Sequence, residues 1–230
     1  MTDEHHNSVS EPQGEWLKKM ADTGNSFLEK AYALSSPSEA RDLYDRWANS
    51  YDRDLDELDY AFPANAASAL VNAMGTDDIS DLRILDAGCG TGLVGAILAS
   101  EYNATNVDGL DISPGMLAIA QRTHAYKVLT EADLTKRIAR QDGEYDAVIC
   151  VGTLTKGHVG PAVLDEFVRV VRKGGIVDAT VLATIWESGG FKAKVDELKA
   201  SGRAEVLGDG AVGLRKGETT GGILLLLKKL

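Results

Sequence analysis

Residues 84–95, ILDAGCGTGLVG, set an aspartate and alternate glycines between an apolar strand-like run and an apolar helix-like run. Glycine adopts positive φ and, without a Cβ, lets a ligand approach the backbone. Such a loop between strand and helix holds a phosphate or a nucleoside. Two templates fit the spacing. From Gly90, GTGLVG satisfies the dinucleotide pattern G-x-G-x-x-G, with Asp111 21 residues later; from Gly88, the run is G-x-G-x-G, with Asp111 23 residues on. The glycines alone do not choose between them.

Nearby carboxylates do. Asp86 precedes Gly88 by two residues, where its charge would repel a pyrophosphate but suit an ammonium group. Asp111, in VDGLDIS, is placed to accept hydrogen bonds from ribose hydroxyls, which serves either kind of cofactor. Asp133, in EADLT, can take an adenine amino proton while the Leu134 N–H reaches a ring nitrogen. Three carboxylates with no accompanying cation fit a cationic nucleoside such as S-adenosylmethionine better than a dinucleotide. A nicotinamide-dependent oxidoreductase is the rival that the GTGLVG spacing leaves open.

These residues need elements to carry them to one edge. Strand-like segments lie at 82–86, 105–110, 126–129, 145–151 and 175–183, separated by helix-like runs at 92–100, 114–123 and 161–172. Strands alternating with helices of about ten residues imply βαβ units and a mostly parallel sheet covered on both faces. In such sheets ligands bind at the carboxyl edge. A helix at 188–200 precedes two closing strand-like segments with no helix between them, which predicts antiparallel pairing. Upstream, apolar spacing predicts a helix from Glu15 to Ala33, interrupted near Gly24. Ser36-Pro37-Ser38-Glu39 starts a second, whose face runs from Leu43 through Leu58, and Pro63 opens a third through Met74. The chain divides into a polar leader (1–14), a helical region (15–75) and an α/β domain (76–230).

The totals bound the function further. The 230 residues carry 24 Lys and Arg against 35 Asp and Glu, a net charge of −11, which argues against a nucleic-acid partner. The leader lacks the basic start and apolar block of a signal peptide, and no apolar run reaches the length of a membrane span. Cys89 and Cys150 make neither a disulfide framework nor a metal quartet and read as packing residues of a reduced, cytoplasmic protein.

The aspartate–glycine constellation resembles the class I S-adenosylmethionine-dependent methyltransferases. More narrowly, YDRWANSYDRDL (44–55), YDAVICVGTLTKGHV (145–159) and the closing GGILLLLKK look like the Williams–Beuren-syndrome-region methyltransferase-like proteins. The resemblance implies a Rossmann-like three-layer αβα sandwich with a seven-stranded, mostly parallel sheet and an antiparallel C-terminal strand. It implies that Gly88, Gly90 and Gly92 shape the cofactor turn, and that Asp111 holds the ribose. Ile112 would pack on the adenine, Asp133 and Leu134 would read its edge, and the Val151 carbonyl would take the methionine ammonium. Tyr44, Trp47 and Tyr51 would fold over the sulfonium as part of a lid, where a cation beside aromatic faces gains about 0.5–2 kcal/mol.

The implied activity is methyl transfer to a small-molecule acceptor by in-line displacement, leaving S-adenosylhomocysteine. Near the end of the fourth strand stand Thr153, Thr155, Lys156 and His158, of which His158 is the candidate base for a hydroxyl acceptor. Trp16, Phe62 and Trp186 read first as packing residues and second as acceptor wall. His124 reads as a residue of a helix C-terminus, and no metal site is indicated. The chain has CVGTLTKG where nucleic-acid amino-methyltransferases carry an Asp/Asn-Pro-Pro-aromatic segment. A protein that binds the cofactor without catalysis would present the same residues. The acceptor and the oligomeric state stay open.

Overall fold

The computed structural model describes residues 26–31, 33–34 and 36–230. The leader at 1–14, the start of the helix expected from Glu15, and Trp16 lie outside the described residues. Helix α1 (Ser26–Ala31) is followed by α2 (Pro37–Trp47), α3 (Tyr51–Asp56) and α4 (Phe62–Met74). The alternation then runs β1 (Ile84–Ala87), α5 (Leu93–Tyr102), β2 (Val107–Asp111), α6 (Pro114–Ala120), β3 (Val128–Glu131), β4 (Tyr145–Leu154), α7 (Val163–Val170) and β5 (Val171–Leu182). Helix α8 (Phe191–Ala200) leads into β6 (Ala204–Gly213) and β7 (Gly221–Lys229).

The strands form one seven-stranded sheet in the order β3-β2-β1-β4-β5-β7-β6. Every pair from β3 to β5 is parallel; β7 lies between β5 and β6 and runs antiparallel to both. Side chains alternate across the strands and split the core into two layers. On one face Ile84, Val107, Ile149 and Ile176 pack against Ala66, Ala67 and Leu70 of α4 and against Val94 and Leu98 of α5. On the other, Leu85, Val148, Val177 and Ala179 meet Leu164 and Phe167 of α7 and Phe191 and Val195 of α8. The expected three-layer sandwich is therefore present. Helix α4, grouped on sequence with the helices before it, packs its apolar stripe on the sheet over β4 and β5.

Local signals set most boundaries. Ser36 Oγ accepts from the Glu39 N–H (3.3 Å) with Pro37 opening α2, and Ser113 Oγ accepts from the Met116 N–H (3.0 Å) with Pro114 opening α6. Gly75, at φ 72°, ends α4. The helix expected from Ser36 through Leu58 is broken into α2 and α3. At the break the Asp54 carboxylate accepts both Trp47 Nε1–H (2.8 Å) and Ser50 Oγ–H (3.0 Å), which folds α3 back on α2. Trp47 thereby joins a small aromatic cluster, stacked on Phe27 (5.8 Å) and edge-on to Tyr51 (4.7 Å).

The start of α5 has no side-chain cap. Its Gly95 N–H instead donates to Tyr126 Oη (3.1 Å) from the segment before β3. A Cβ on Gly95 would fall inside the Tyr126 ring. Gly→Ala in a helix ordinarily stabilises by up to about 1 kcal/mol. Here overpacking reverses the sign: Gly95→Ala should destabilise by about 1–3 kcal/mol in urea unfolding. A stabilised variant would show that Tyr126 is not seated there.

Candidate active site

The carboxyl ends of β1, β2, β3 and β4 open on a cleft of about 700 Å³ walled by Gly88, Gly90, Asp111, Ile112, Asp133, Leu134 and Val151, with Met116 and Thr153. Its wall carries Asp111 and Asp133 and no Lys or Arg. Gly88 (φ 81°) and Gly90 (φ 54°) hold the loop in the left-handed region, and a Cβ on Gly88 would collide with the Thr153 hydroxyl. The residues fit a cationic nucleoside: negative charge, a close-approach backbone and an apolar floor, without the cation that a pyrophosphate would seek.

Each carboxylate is pre-set. Asp111 accepts the Gly90 N–H (2.8 Å) through one oxygen and the Ser113 N–H (2.9 Å) through the other, tying β2 to the glycine loop. Shielding from water raises its pKa against the pull of those amides. Asp133 also feels burial, but hydrogen bonds from Thr135 (2.6 and 2.9 Å) and Lys136 (3.0 Å) outweigh it and hold the carboxyl below its ordinary value. It stays ionised at neutral pH, with acceptor capacity left on each oxygen pair.

Asp86 is placed differently from the sequence expectation. It is the penultimate residue of β1, and strand alternation turns its side chain with Ile84 toward the α4–α5 face. It is fully buried, does not line the cleft, and accepts the Tyr126 hydroxyl at 2.7 Å while its Oδ1 has no partner among the described residues. Burial pushes its pKa up to about 7. Asp86 therefore stands behind the glycine loop and off the cleft wall, on which the sequence expectation sets it against an ammonium group. Gly92 likewise lies outside the wall and ends the loop as the N-cap of α5 (φ 93°).

The helices α2 and α3 close one side of the cleft. Tyr44 and Tyr51 line it; Trp47, assigned on sequence to the same lid face, is only 1% exposed and faces a second cavity instead. Spacing alone did not show that α2 ends at Trp47 and turns. The residues that fasten the helices were missed: Asp45 accepts Ser113 Oγ–H (2.5 Å) and the Gly115 N–H (2.8 Å), and Asp52 accepts Thr91 Oγ1–H (2.5 Å). Arg41 pairs with Glu131 at the end of β3 (3.0 Å). A signal was present, because YDRWANSYD repeats Tyr-Asp at a seven-residue interval.

The second cavity, about 640 Å³, adjoins the first and shares Tyr44, Tyr51, Gly152 and His158 with it. Its remaining wall is largely apolar and aromatic: Trp47, Leu55, Leu58, Tyr60, Phe62, Leu182 and Leu214. Phe62 thus reaches a cavity as well as packing, while Trp186 lies in the core on the α7–α8 face. Gly152 sits at a register break between β4 and β5 with φ 71°, and a Cβ there would press on the Tyr60 hydroxyl.

His158 stands at the junction. Its Nδ1 lies 3.0 Å from the Lys156 carbonyl and 2.8 Å from Thr155 Oγ1, and its Nε2 lies 2.8 Å from the Tyr44 hydroxyl. A carbonyl only accepts, so Nδ1 carries the proton and Nε2 accepts from Tyr44. Burial lowers the imidazole pKa, which keeps it neutral at physiological pH. Burial also raises the Tyr51 phenol, reinforced by Asp111 and Asp52. Cys89 and Cys150 are free, buried and raised in pKa by burial, as packing residues. His124 ends the turn after α6 in the left-handed region. Among the described residues no three of His, Cys, Asp and Glu gather as metal ligands, and no helix is long and apolar enough to cross a membrane.

The raised pKa of Asp86 makes a signed prediction. Its contribution to stability is complete below the ordinary value of 3.8 and is lost as pH rises through about 7. Asp86→Asn keeps an acceptor for Tyr126 and has no proton to lose. Relative to wild type it should gain on the order of 1–3 kcal/mol between about pH 5 and about pH 9 in paired urea melts. A difference that does not change with pH would place the Asp86 carboxyl in contact with water.

A family model described as a methyltransferase domain matches residues 84–175. Human methyltransferase-like protein 27 is 34% identical over 184 residues, covering 78% of this chain and 74% of the relative. The malonyl-[acyl-carrier protein] O-methyltransferase of Acetivibrio thermocellus is 25% identical over 139 residues, 57% of this chain and 49% of that one. Among solved structures, magnesium protoporphyrin IX methyltransferase from Synechocystis PCC 6803 with bound SAM has a TM-score of 0.56 at 18% identity, covering 73% of this chain and 79% of that one. The [4+2]-cyclase SpnF has a TM-score of 0.65 at 16% identity, covering 85% and 97%. Likeness at such identities establishes the fold and no chemistry. The extended match to the human relative goes further: the chain belongs to the class I S-adenosylmethionine-dependent methyltransferases, in the family of methyltransferase-like protein 27.

Proposed function

We propose that this methyltransferase acts on a small molecule held in the aromatic cavity, with the cofactor in the carboxylate-lined cleft beside it. One observation carries the reading: the two cavities meet at Tyr44, Tyr51, Gly152 and His158, so ligands in both would touch there. In this reading Asp111 takes the ribose hydroxyls, Ile112 and Leu134 flank the adenine, Asp133 reads its amino group, and the Val151 carbonyl faces the methionine ammonium. Helices α1–α3 form the lid over a catalytic domain that begins with α4.

When bound, S-adenosylmethionine supplies a methyl on a sulfonium, so in-line attack forms the acceptor–methyl bond while sulfur keeps the electron pair of the bond that breaks. The protein's part is alignment and exclusion of water. Tyr44 and Tyr51 cover the junction, fastened by Asp45 and Asp52. For a hydroxyl acceptor, the proton passes to His158 Nε2, either directly or through the Tyr44 hydroxyl, with Nδ1–H held by the Lys156 carbonyl. The two free, buried cysteines fit a cytoplasmic enzyme.

Calorimetry tests the cofactor half: S-adenosylhomocysteine should bind wild type, and Asp111→Asn should weaken it at least about tenfold by loosening the Gly90 and Ser113 anchors. Labelled methyl from the cofactor should appear in the low-molecular-mass fraction of a cytoplasmic extract. Label confined to protein or nucleic acid would sink the small-molecule reading. With an acceptor in hand, the rate should rise with pH through a value below 6.5, the ordinary imidazole pKa, and level off by neutrality. His158→Gln should lower kcat by about 10²-fold or more with little change in cofactor affinity, and Tyr44→Phe should do the same only if the proton passes through the Tyr44 hydroxyl. A pH-independent rate in wild type would remove His158 as base.

A further inference from the structure

The two cavities differ in charge. Among the described residues the cofactor cleft has carboxylates and no Lys or Arg, and the aromatic cavity has Arg215 and no Asp or Glu. Arg215 lies in the β6–β7 connection, on wall that the cofactor cleft does not share. Its backbone is fixed to the segment before α4: Arg215 bridges Tyr60, the Ala61 N–H donates to the Leu214 carbonyl (2.9 Å), and the Lys216 N–H donates to the Asp59 carbonyl (2.9 Å). The backbone that carries the side chain is therefore fixed by a crossing of two chain segments.

Its Nη2 is buried and has no hydrogen-bond partner among the described residues. A buried donor left unsatisfied costs about 1–3 kcal/mol, and more for a charged group. Arginine cannot escape by losing its proton. Nη2 itself faces packed protein, but Arg215 lines the cavity, and its positive charge attracts a carboxylate there. A phosphate dianion would call for further cations, and the wall has none apart from Arg215.

We propose that Arg215 binds a carboxylate on the methyl acceptor, which makes the substrate class a small acid with an apolar body whose methylated atom lies beside His158. The Phe62, Leu182 and Leu214 side chains would take the body. This rests on the aromatic cavity being the acceptor site.

The test uses protein saturated with S-adenosylhomocysteine and calorimetric titration of benzoate, 4-hydroxybenzoate and 3-phenylpropionate beside their primary amides. Wild type should prefer at least one acid over its amide by about tenfold or more, the worth of one charge-assisted hydrogen bond. Arg215→Gln should bring acid and amide within about twofold, and Arg215→Lys should keep part of the preference. Acids and amides bound alike by wild type, neither bound, or a preference that survives in Arg215→Gln would each overturn the proposal. The wild-type comparison and Arg215→Lys stand even if Arg215→Gln does not fold. Failure to bind S-adenosylhomocysteine at all would instead strike the underlying placement of the cofactor.

Discussion

The hydroxyl of Tyr126 holds the cofactor edge together. It donates to a buried carboxylate, Asp86, and accepts one of the free amides in the first turn of α5, that of Gly95. One oxygen thus joins the end of β1, the start of α5 and the approach to β3. Without it Asp86 would be buried with no donor at all, and unsatisfied burial is costly. The small residues around it follow from this seat: a Cβ at Gly95 would overlap the ring, and one at Gly92 would crowd it at 3.1 Å. The glycine loop is therefore shaped from behind by packing as well as from in front by the demands of a ligand.

Carboxylates recur as fasteners on the open side. Asp111 spans the glycine loop and the entry to α6, Asp45 fixes α2 to the same entry, and Asp52 reaches Thr91 within the loop. Backbone amides and hydroxyls solvate these groups without cancelling their charge, and of the two cleft aspartates only Asp133 has an ion-pair partner among the described residues, Lys136. That bias suits a sulfonium and an ammonium and discourages a phosphate. The net charge of −11 is thus partly concentrated where the chemistry needs it.

Beyond the junction at Gly152 and His158 the surroundings reverse. Aromatic and aliphatic side chains replace carboxylates, and the charge on the wall is positive. The neutral imidazole of His158 lies where the two environments meet. The break in β4–β5 register at Gly152 lets the two environments touch, because a side chain there would occupy the space of the Tyr60 hydroxyl.

Much of this was legible in the sequence. Strand and helix order, the antiparallel close, the caps at Ser36 and Ser113, and the gathering of Gly88, Asp111 and Asp133 at one edge follow from periodicity, turn chemistry and the geometry of βαβ units. Those are local or nearly local constraints, and each residue carries its own signal. The tertiary structure decided what depends on partners distant in the chain. Asp86 was read as a ligand because it sits before the glycines, but its orientation is set by strand phase and by Tyr126, 40 positions away. Trp47 was read with Tyr44 and Tyr51, but Asp54 ends α2 and turns it inward. Tyr44 and His158, 114 residues apart, meet because α2 is pinned across the sheet. Arg215 carried no motif: only the assembled fold sets it on the wall of an otherwise largely apolar cavity.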